Sequence, residues 1–278
     1  MTYFGFLIRF LGPPLLILLG LAVWDDQRGR AMPATLRSWP VRFVILAHVI
    51  VAVLYTTPWD NYLVANGVWW YNPALVTGFV LGWVPIEEYT FFVLQTIMTG
   101  LWVTFLAKRL ALPGASFPQA MATRIRWITT ALLCGLWLSS AALLFWGWQQ
   151  GTYLALILVW ALPPIILQAS FAGDILWHYR KLLFAALLPA TLYLALGDAL
   201  AIRSGTWTID PAQSTQLFFG GLPLEEFVFF LITNTLVVLG MILVLANESQ
   251  QRAPQPLLHF LQRVTTVHKT PSSLTIDN

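Results

Sequence analysis

The sequence predicts an all-α polytopic membrane protein with about seven transmembrane helices, two parallel three-helix repeats joined by a connecting helix. Composition, seven long apolar runs and a repeat at one fixed offset support this. Of 278 residues, 58% are apolar and only 10% charged, with a mean hydropathy of +0.71. That balance is far from that of a soluble domain. Fifteen Lys and Arg against twelve Asp and Glu give +3, and the basic residues sit in a few loops, which excludes a nucleic-acid-binding face. The single cysteine, Cys134, excludes an intramolecular disulfide and any cysteine-based metal site.

A span needs about 20 apolar residues to cross a core of about 30 Å. Runs of that kind cover approximately 3 to 24, 41 to 58, 85 to 107, 127 to 148, 152 to 172, 181 to 197 and 222 to 246. The first lacks the basic start and small-residue cleavage site of a signal peptide, and Gly12-Pro13-Pro14 predicts a kink in its middle. Basic residues mark the cytoplasmic loops. Thirteen of the fifteen follow the first, third, fifth and seventh spans, among them Arg28, Lys108, Arg180, Arg252, Arg263 and Lys269. The chain is therefore expected to be a multi-pass protein of the cell membrane, N-terminus outside and C-terminus cytoplasmic. The stretch 248–278, with Pro254, Pro256 and Pro271, reads as a poorly ordered cytoplasmic tail.

Sliding the chain by 138 positions gives an ungapped match. It runs from Trp39 and Trp177 through Leu54-Tyr55 and Leu192-Tyr193, Asp60 and Asp198, and Trp69 and Trp207. It culminates in Pro85-Ile86-Glu87-Glu88 against Pro223-Leu224-Glu225-Glu226, with Phe91-Phe92 against Phe229-Phe230. The expected organisation is a first repeat over 1–110, a connecting loop and helix over 111–150, a second repeat over 151–247, and the tail. One connecting span restores orientation, so the halves run parallel about a pseudo-twofold along the membrane normal, with both acidic motifs at one depth. Glu87 lies 21 residues before Lys108, about 31 Å of helix. This puts the motif near the outer boundary if the helix starts at Pro85, and deeper if residues 74–84 extend it.

The two Pro-x-Glu-Glu motifs hold four of the twelve acids. Charged groups within a span cost about 2.5–3.5 kcal/mol each and usually mark function, although Pro and Glu also suit a plain helix N-terminus. On a helix, Glu87, Phe91 and Gln95 share one stripe and Glu88 and Phe92 the next; Glu225, Phe229, Glu226, Phe230 and Asn234 repeat the pattern. Carboxyls crowded in apolar surroundings resist ionising together, so one can serve as general acid and its neighbour as base. Aromatic faces beside them stabilise cations, while the many tryptophans are read mainly as packing and interface belts. Asp60 and Asp198 close the second and sixth spans as supporting groups or as caps. Arg203 is expected to pair with Asp198, and His48 to be a core histidine.

No dinucleotide fingerprint or Walker loop is present, which disfavours flavin, nicotinamide and nucleotide use. Asp25-Asp26 lacks the further Asp of a magnesium–diphosphate site, and no Lys lies inside a span to carry a retinal Schiff base.

The stretch Trp59-Asp60-Asn61-Tyr62-Leu63, Val68-Trp69-Trp70-Tyr71-Asn72-Pro73, Pro85-Ile86-Glu87-Glu88-Tyr89 and Phe91-Phe92 resembles the cyclase domain of carotenoid biosynthesis. Gly197-Asp198, Gly205-Thr206-Trp207 and Pro223-Leu224-Glu225-Glu226-Phe227 resemble it again. Over roughly residues 1–246 the chain is similar to the membrane-integral lycopene cyclases, which occur as two small bacterial subunits, as fused archaeal chains, and joined to phytoene synthase in fungi. A fused form without a synthase domain is expected.

The resemblance implies cyclisation of both ψ ends of lycopene to β-carotene via γ-carotene, without net redox change, cofactor or metal. Both pigments would enter from the lipid phase, with association with other carotenoid enzymes admitted. It implies Glu87, Glu88, Glu225 and Glu226 as acid and base, the first Glu of each motif preferred. Phe91, Phe92, Tyr89, Phe227, Phe229, Phe230, Trp69 and Trp207 would line the substrate, with Asp60, Asp198, Gln95 and Asn234 behind them. One shared site and two separate sites are both compatible. A proton-coupled transporter or a carotenoid-binding structural protein is the alternative, disfavoured because the spans after Thr104 and Thr235 are apolar.

Overall fold

The computed structural model describes residues 1–112 and 119–254. Part of the expected connecting loop and the tail from residue 255, with Arg263 and Lys269, lie outside the described residues. Helices α1 (Tyr3–Gln27), α2 (Val41–Ala65), α3 (Ile86–Ala107), α4 (Gln119–Trp146), α5 (Thr152–His178), α6 (Arg180–Arg203) and α7 (Leu224–Leu245) are each long and apolar enough to cross a membrane. A short helix, α8 (Asn247–Arg252), follows. Helices α3, α6 and α7 are the most enclosed and α4 the least, lying against α5 on the periphery.

Prolines shape the helices without ending them. A π-helical stretch, Leu7–Leu11, precedes Pro13-Pro14 in α1. Pro14 has no N–H to give the Phe10 carbonyl four residues back, and the Tyr193 hydroxyl of α6 donates to that carbonyl at 2.7 Å. The same device recurs in α5. Pro164 leaves the Trp160 carbonyl to the Tyr55 hydroxyl of α2, at 2.7 Å, and Pro163 leaves the Val159 carbonyl to the Trp137 indole N–H at 3.1 Å. In hydrocarbon such carbonyls must find protein donors, so each kink also fastens one helix to another.

The basic end is closed by ion pairs. Arg109 grips buried Asp25 with two nitrogens at 2.7 and 2.8 Å, and Arg252 grips Asp174 likewise, both bonds at 2.7 Å.

At the other end, the described residues form short strands β1 (Trp69–Tyr71), β2 (Val80–Leu81), β3 (Val84–Pro85), β4 (Trp207–Ile209), β5 (Phe218–Phe219) and β6 (Leu222–Pro223). β1 pairs antiparallel with β4, placing Trp70 opposite Thr208. β2–β3 and β5–β6 are hairpins leading into α3 and α7. Gly82, at φ +70°, makes the first hairpin's turn, where a Cβ would run into the Asn61 side chain. Residues 74–84 do not extend α3: Pro85, extended at φ −70° and ψ 152°, is the N-cap and the helix starts at Ile86. The expected Arg203–Asp198 pair does not form. Asp198 is buried, while the Arg203 guanidinium reaches the Gly220 carbonyl at 3.4 Å, because the β5–β6 turn lies over the end of α6.

Candidate active site

Both acidic motifs form the first turns of their helices, α3 and α7, and all four carboxylates are buried. Adjacent helical residues point about 100° apart, so each pair divides between two environments. Glu87 turns to its own loop, Oε1 accepting the Thr77 N–H at 2.6 Å. Glu225 does the same, its Oε1 accepting the Thr215 N–H at 2.6 Å and the Thr215 hydroxyl at 2.7 Å. The second oxygen of each is buried with no partner among the described residues.

Glu88 and Glu226 face inward, and one tight cavity of about 30 Å³ is lined by both. Its other walls include Tyr3, Phe6, Asp198, Phe91, Phe229 and Phe230, closed by Trp69, Tyr71 and Trp207 from the β1–β4 ribbon. The Tyr3 hydroxyl donates to Glu88 Oε2 at 2.5 Å, and the Tyr71 hydroxyl donates to the same oxygen at 3.1 Å. Tyr153 donates to Glu226 Oε1 at 2.6 Å. Enclosure of the Tyr71 hydroxyl and the nearby Asp60 and Glu88 carboxyls keep it a phenol, its proton held well above the ordinary tyrosine range. Phe91 meets Phe230 edge-on at 6.1 Å, and Phe229 lies parallel to Trp59 at 5.8 Å, so aromatic faces surround the carboxyls.

The other candidate residues have different positions. Asp198 lines the cavity beside Glu226 and Trp207. Asp60 is fully enclosed with neither oxygen bonded among the described residues. Gln95 and Asn234 are buried but do not line this cavity: Gln95 faces a separate groove and donates to Thr233 at 3.2 Å, and Asn234 accepts from Thr99 at 2.8 Å. Tyr89 holds the β2–β3 turn, its hydroxyl donating to the Leu81 carbonyl at 2.9 Å. Phe227 stacks on Phe219 of the other hairpin, and Phe92 lines a separate groove together with His48.

Sequence reasoning missed Tyr3, Tyr71 and Tyr153. A signal for two of them exists at a different offset: Thr2-Tyr3 and Pro13-Pro14 recur as Thr152-Tyr153 and Pro163-Pro164, 150 positions on. Tyr71 has no such signal, since Ile209 stands 138 positions later.

The lycopene cyclase family model matches residues 31–106 and 150–244. The chain belongs to the lycopene cyclase family. The lycopene beta-cyclase of Halobacterium salinarum is 38% identical over 244 residues, 87% of this chain and 95% of that protein. The bifunctional lycopene cyclase/phytoene synthase of Aspergillus niger is 35% identical over 198 residues, 70% of this chain and 33% of its own length. That of Podospora anserina is 39% identical over 202 residues, 69% of this chain and 33% of its own. No solved structure matches. The family's matched segments contain both acidic motifs, both ribbon strands and Tyr153, and they leave out Tyr3.

Proposed function

We propose that this protein is a multi-pass membrane enzyme that cyclises the ψ ends of lycopene to β rings by acid–base chemistry of its own side chains, giving β-carotene through γ-carotene. The observation that carries the reading is a single aromatic-walled cavity lined by both Glu88 and Glu226. It favours one shared site in which the second Glu of each motif, not the first, meets the substrate. Glu226 would be the acid: it has one phenolic donor and is hydrogen-bonded to the Asp198 carboxyl, a pairing of two carboxyls that requires a proton between them, which Glu226 would deliver to C2. The cation formed at C1 is attacked by the 5,6 double bond, closing the C1–C6 bond and moving the charge to C5. Loss of the C6 proton then gives the β ring. Glu88, with two phenolic donors on Oε2 and Oε1 left over, suits the accepting carboxylate. Proton return from Glu88 to Glu226 resets the pair, so the reaction is an isomerisation with no net proton or electron.

The aromatic walls stabilise the cation and keep water from trapping it. The matching contacts 138 and 150 residues apart support two parallel halves about a pseudo-twofold through this cavity. The positive-inside count supports an external N-terminus. A transporter needs a polar path to the basic end, but below Asn234 the buried face of α7 is apolar, from Val237 to Leu245.

The test is expression in a lycopene-accumulating bacterium with chromatography of the pigments. Wild type should yield bicyclic pigment, and Glu88→Gln and Glu226→Gln should each leave lycopene uncyclised. Full turnover by either well-inserted variant would overturn the shared-site reading.

A further inference from the structure

Beside the carboxyl cavity runs a second, larger space, an apolar groove of about 700 Å³ between α2, α3, α5 and α7. Along α7 it extends from Phe229 to Val244, 15 residues or about 22 Å of helix. It continues past Ser249 to Pro254 at the basic end. Its length therefore approaches the ~30 Å of the hydrocarbon core, and its volume of about 700 Å³ lies in the upper part of the range of ordinary small-molecule pockets, ~300–1,000 Å³. Phe229 lines both this groove and the carboxyl cavity, so one side chain partitions the two.

The groove is one-sided. Gly240 forms part of its wall, and a Cβ there would meet the His48 ring, whose Nδ1–H is held by the Val44 carbonyl at 2.7 Å. The residue 138 positions before Gly240 is Trp102, stacked on Phe105 at 5.5 Å, and the residue 138 positions after His48 is Ala186. The small and large side chains are exchanged between the halves, so the two sides of the bundle are not equivalent.

Building on the function proposed above, we infer that this groove is the binding site for one linear polyene, lying along α7 with one end against Phe229 and the carboxyls. Gly240 keeps the groove open. The occupant is a polyene and not a branched or polar ligand because the space is long, mostly apolar in its lining and adjoins the site of chemistry across the Phe229 ring. Of its polar lining, Gln95 and Thr233 bond each other and the Tyr55 hydroxyl is taken by the Trp160 carbonyl, while Gln168 Oε1 and Ser249 Oγ, toward the basic end, are buried without a partner among the described residues. A groove that meets the carboxyl cavity at one end, across Phe229, presents one end of the polyene per visit. After the first ring closes, the monocyclic product must leave, turn end for end and return.

Purified protein in detergent is mixed with lycopene and separated by size, and retained pigment and cyclisation rate are measured together. Wild type should retain about one lycopene per chain. Gly240→Leu and, from the opposite wall, Ala52→Phe should each lower both retention and rate at least tenfold, whereas Leu54→Phe on the exposed face of α2 should change neither. If Gly240→Leu does not fold, Ala52→Phe decides alone. Retention and rate at the wild-type level in a folded groove variant overturn the inference, as does a phospholipid that excess lycopene does not displace. In a time course at excess lycopene, monocyclic pigment should accumulate before bicyclic; bicyclic product without a free monocyclic stage also overturns it. Wild type that retains lycopene in the groove without cyclising it would defeat the proposed chemistry while leaving the groove assignment standing.

Discussion

Removing the hydroxyl of Tyr153 tests the division of labour between the two glutamates. Tyr153 is the one phenol bonded to Glu226, at 2.6 Å. While Glu226 is a neutral acid that bond contributes about 1 kcal/mol; once the proton has left, a bond to the carboxylate contributes about 1.5–3 kcal/mol. The difference, about 0.5–2 kcal/mol, appears only as the proton is transferred and so falls on kcat. At 1.36 kcal/mol per tenfold, Tyr153→Phe should slow saturated turnover about 2- to 30-fold. Tyr3→Phe should behave differently. Glu88 keeps the Tyr71 bond at 3.1 Å, and as an acceptor its bonds weaken when the proton arrives, so the loss should stay within about threefold. The assay is the initial rate of ring formation in lycopene-loaded vesicles, normalised to inserted protein. Equal slowing by both substitutions would refute the acid–base assignment. Wild-type rates in both would remove the cavity from the reaction.

Glu225→Ala should lower stability by about 1–2 kcal/mol, because the half-buried Thr215 N–H and hydroxyl lose their acceptor; rate per folded molecule should fall far less than in Glu226→Gln, which thermal unfolding and pigment assays separate. Tyr71→Phe combined with Tyr3→Phe should cost more than the two single losses together, since Glu88 then has no phenolic donor; additive rates would argue against a shared acceptor. Tyr193→Phe should leave the Phe10 carbonyl unpaired beside Pro14 and lower the Tm without changing the product, while an unchanged Tm would show that the kink needs no outside donor. Arg109→Ala should leave buried Asp25 with only Arg30, at 3.5 Å, and lower the Tm more than Lys108→Ala, whose partner Asp26 is exposed.

Seven spans were legible because length and hydropathy act locally, whereas the sequence left open whether residues 74–84 extend α3, and the hairpin before it ends that choice with a start at Ile86. Which glutamate faces inward was not legible: neighbours on a helix differ by a rotation that only packing fixes, and packing turned Glu87 and Glu225 to their loops. Tyr3 and Tyr153 escaped because the spacing changes from 138 to 150 between the first helix of each half and the rest, which a single ungapped comparison cannot follow. The hairpins before α3 and α7 were unread, since two-residue strands carry no periodicity and reveal themselves only through turn glycines such as Gly82. Asp198 was visible as an equivalent of Asp60, yet its place in the cavity depends on the ribbon overhead. The length of α2 was underestimated because Pro58 reads as a stop, and the helix runs on to Ala65.

The ribbon of β1 and β4 pairs Trp69 with Ile209, Trp70 with Thr208 and Tyr71 with Trp207. Trp70 and Thr208 are themselves 138 positions apart, so each strand sees the other in the register in which it is seen. Such a contact is isologous, the kind two identical subunits make across a dimer axis. The lid over the carboxyls would thus zip in the same register whether its strands came from one polypeptide or two. A peptide link between the halves raises their effective concentration without altering the roof they build together.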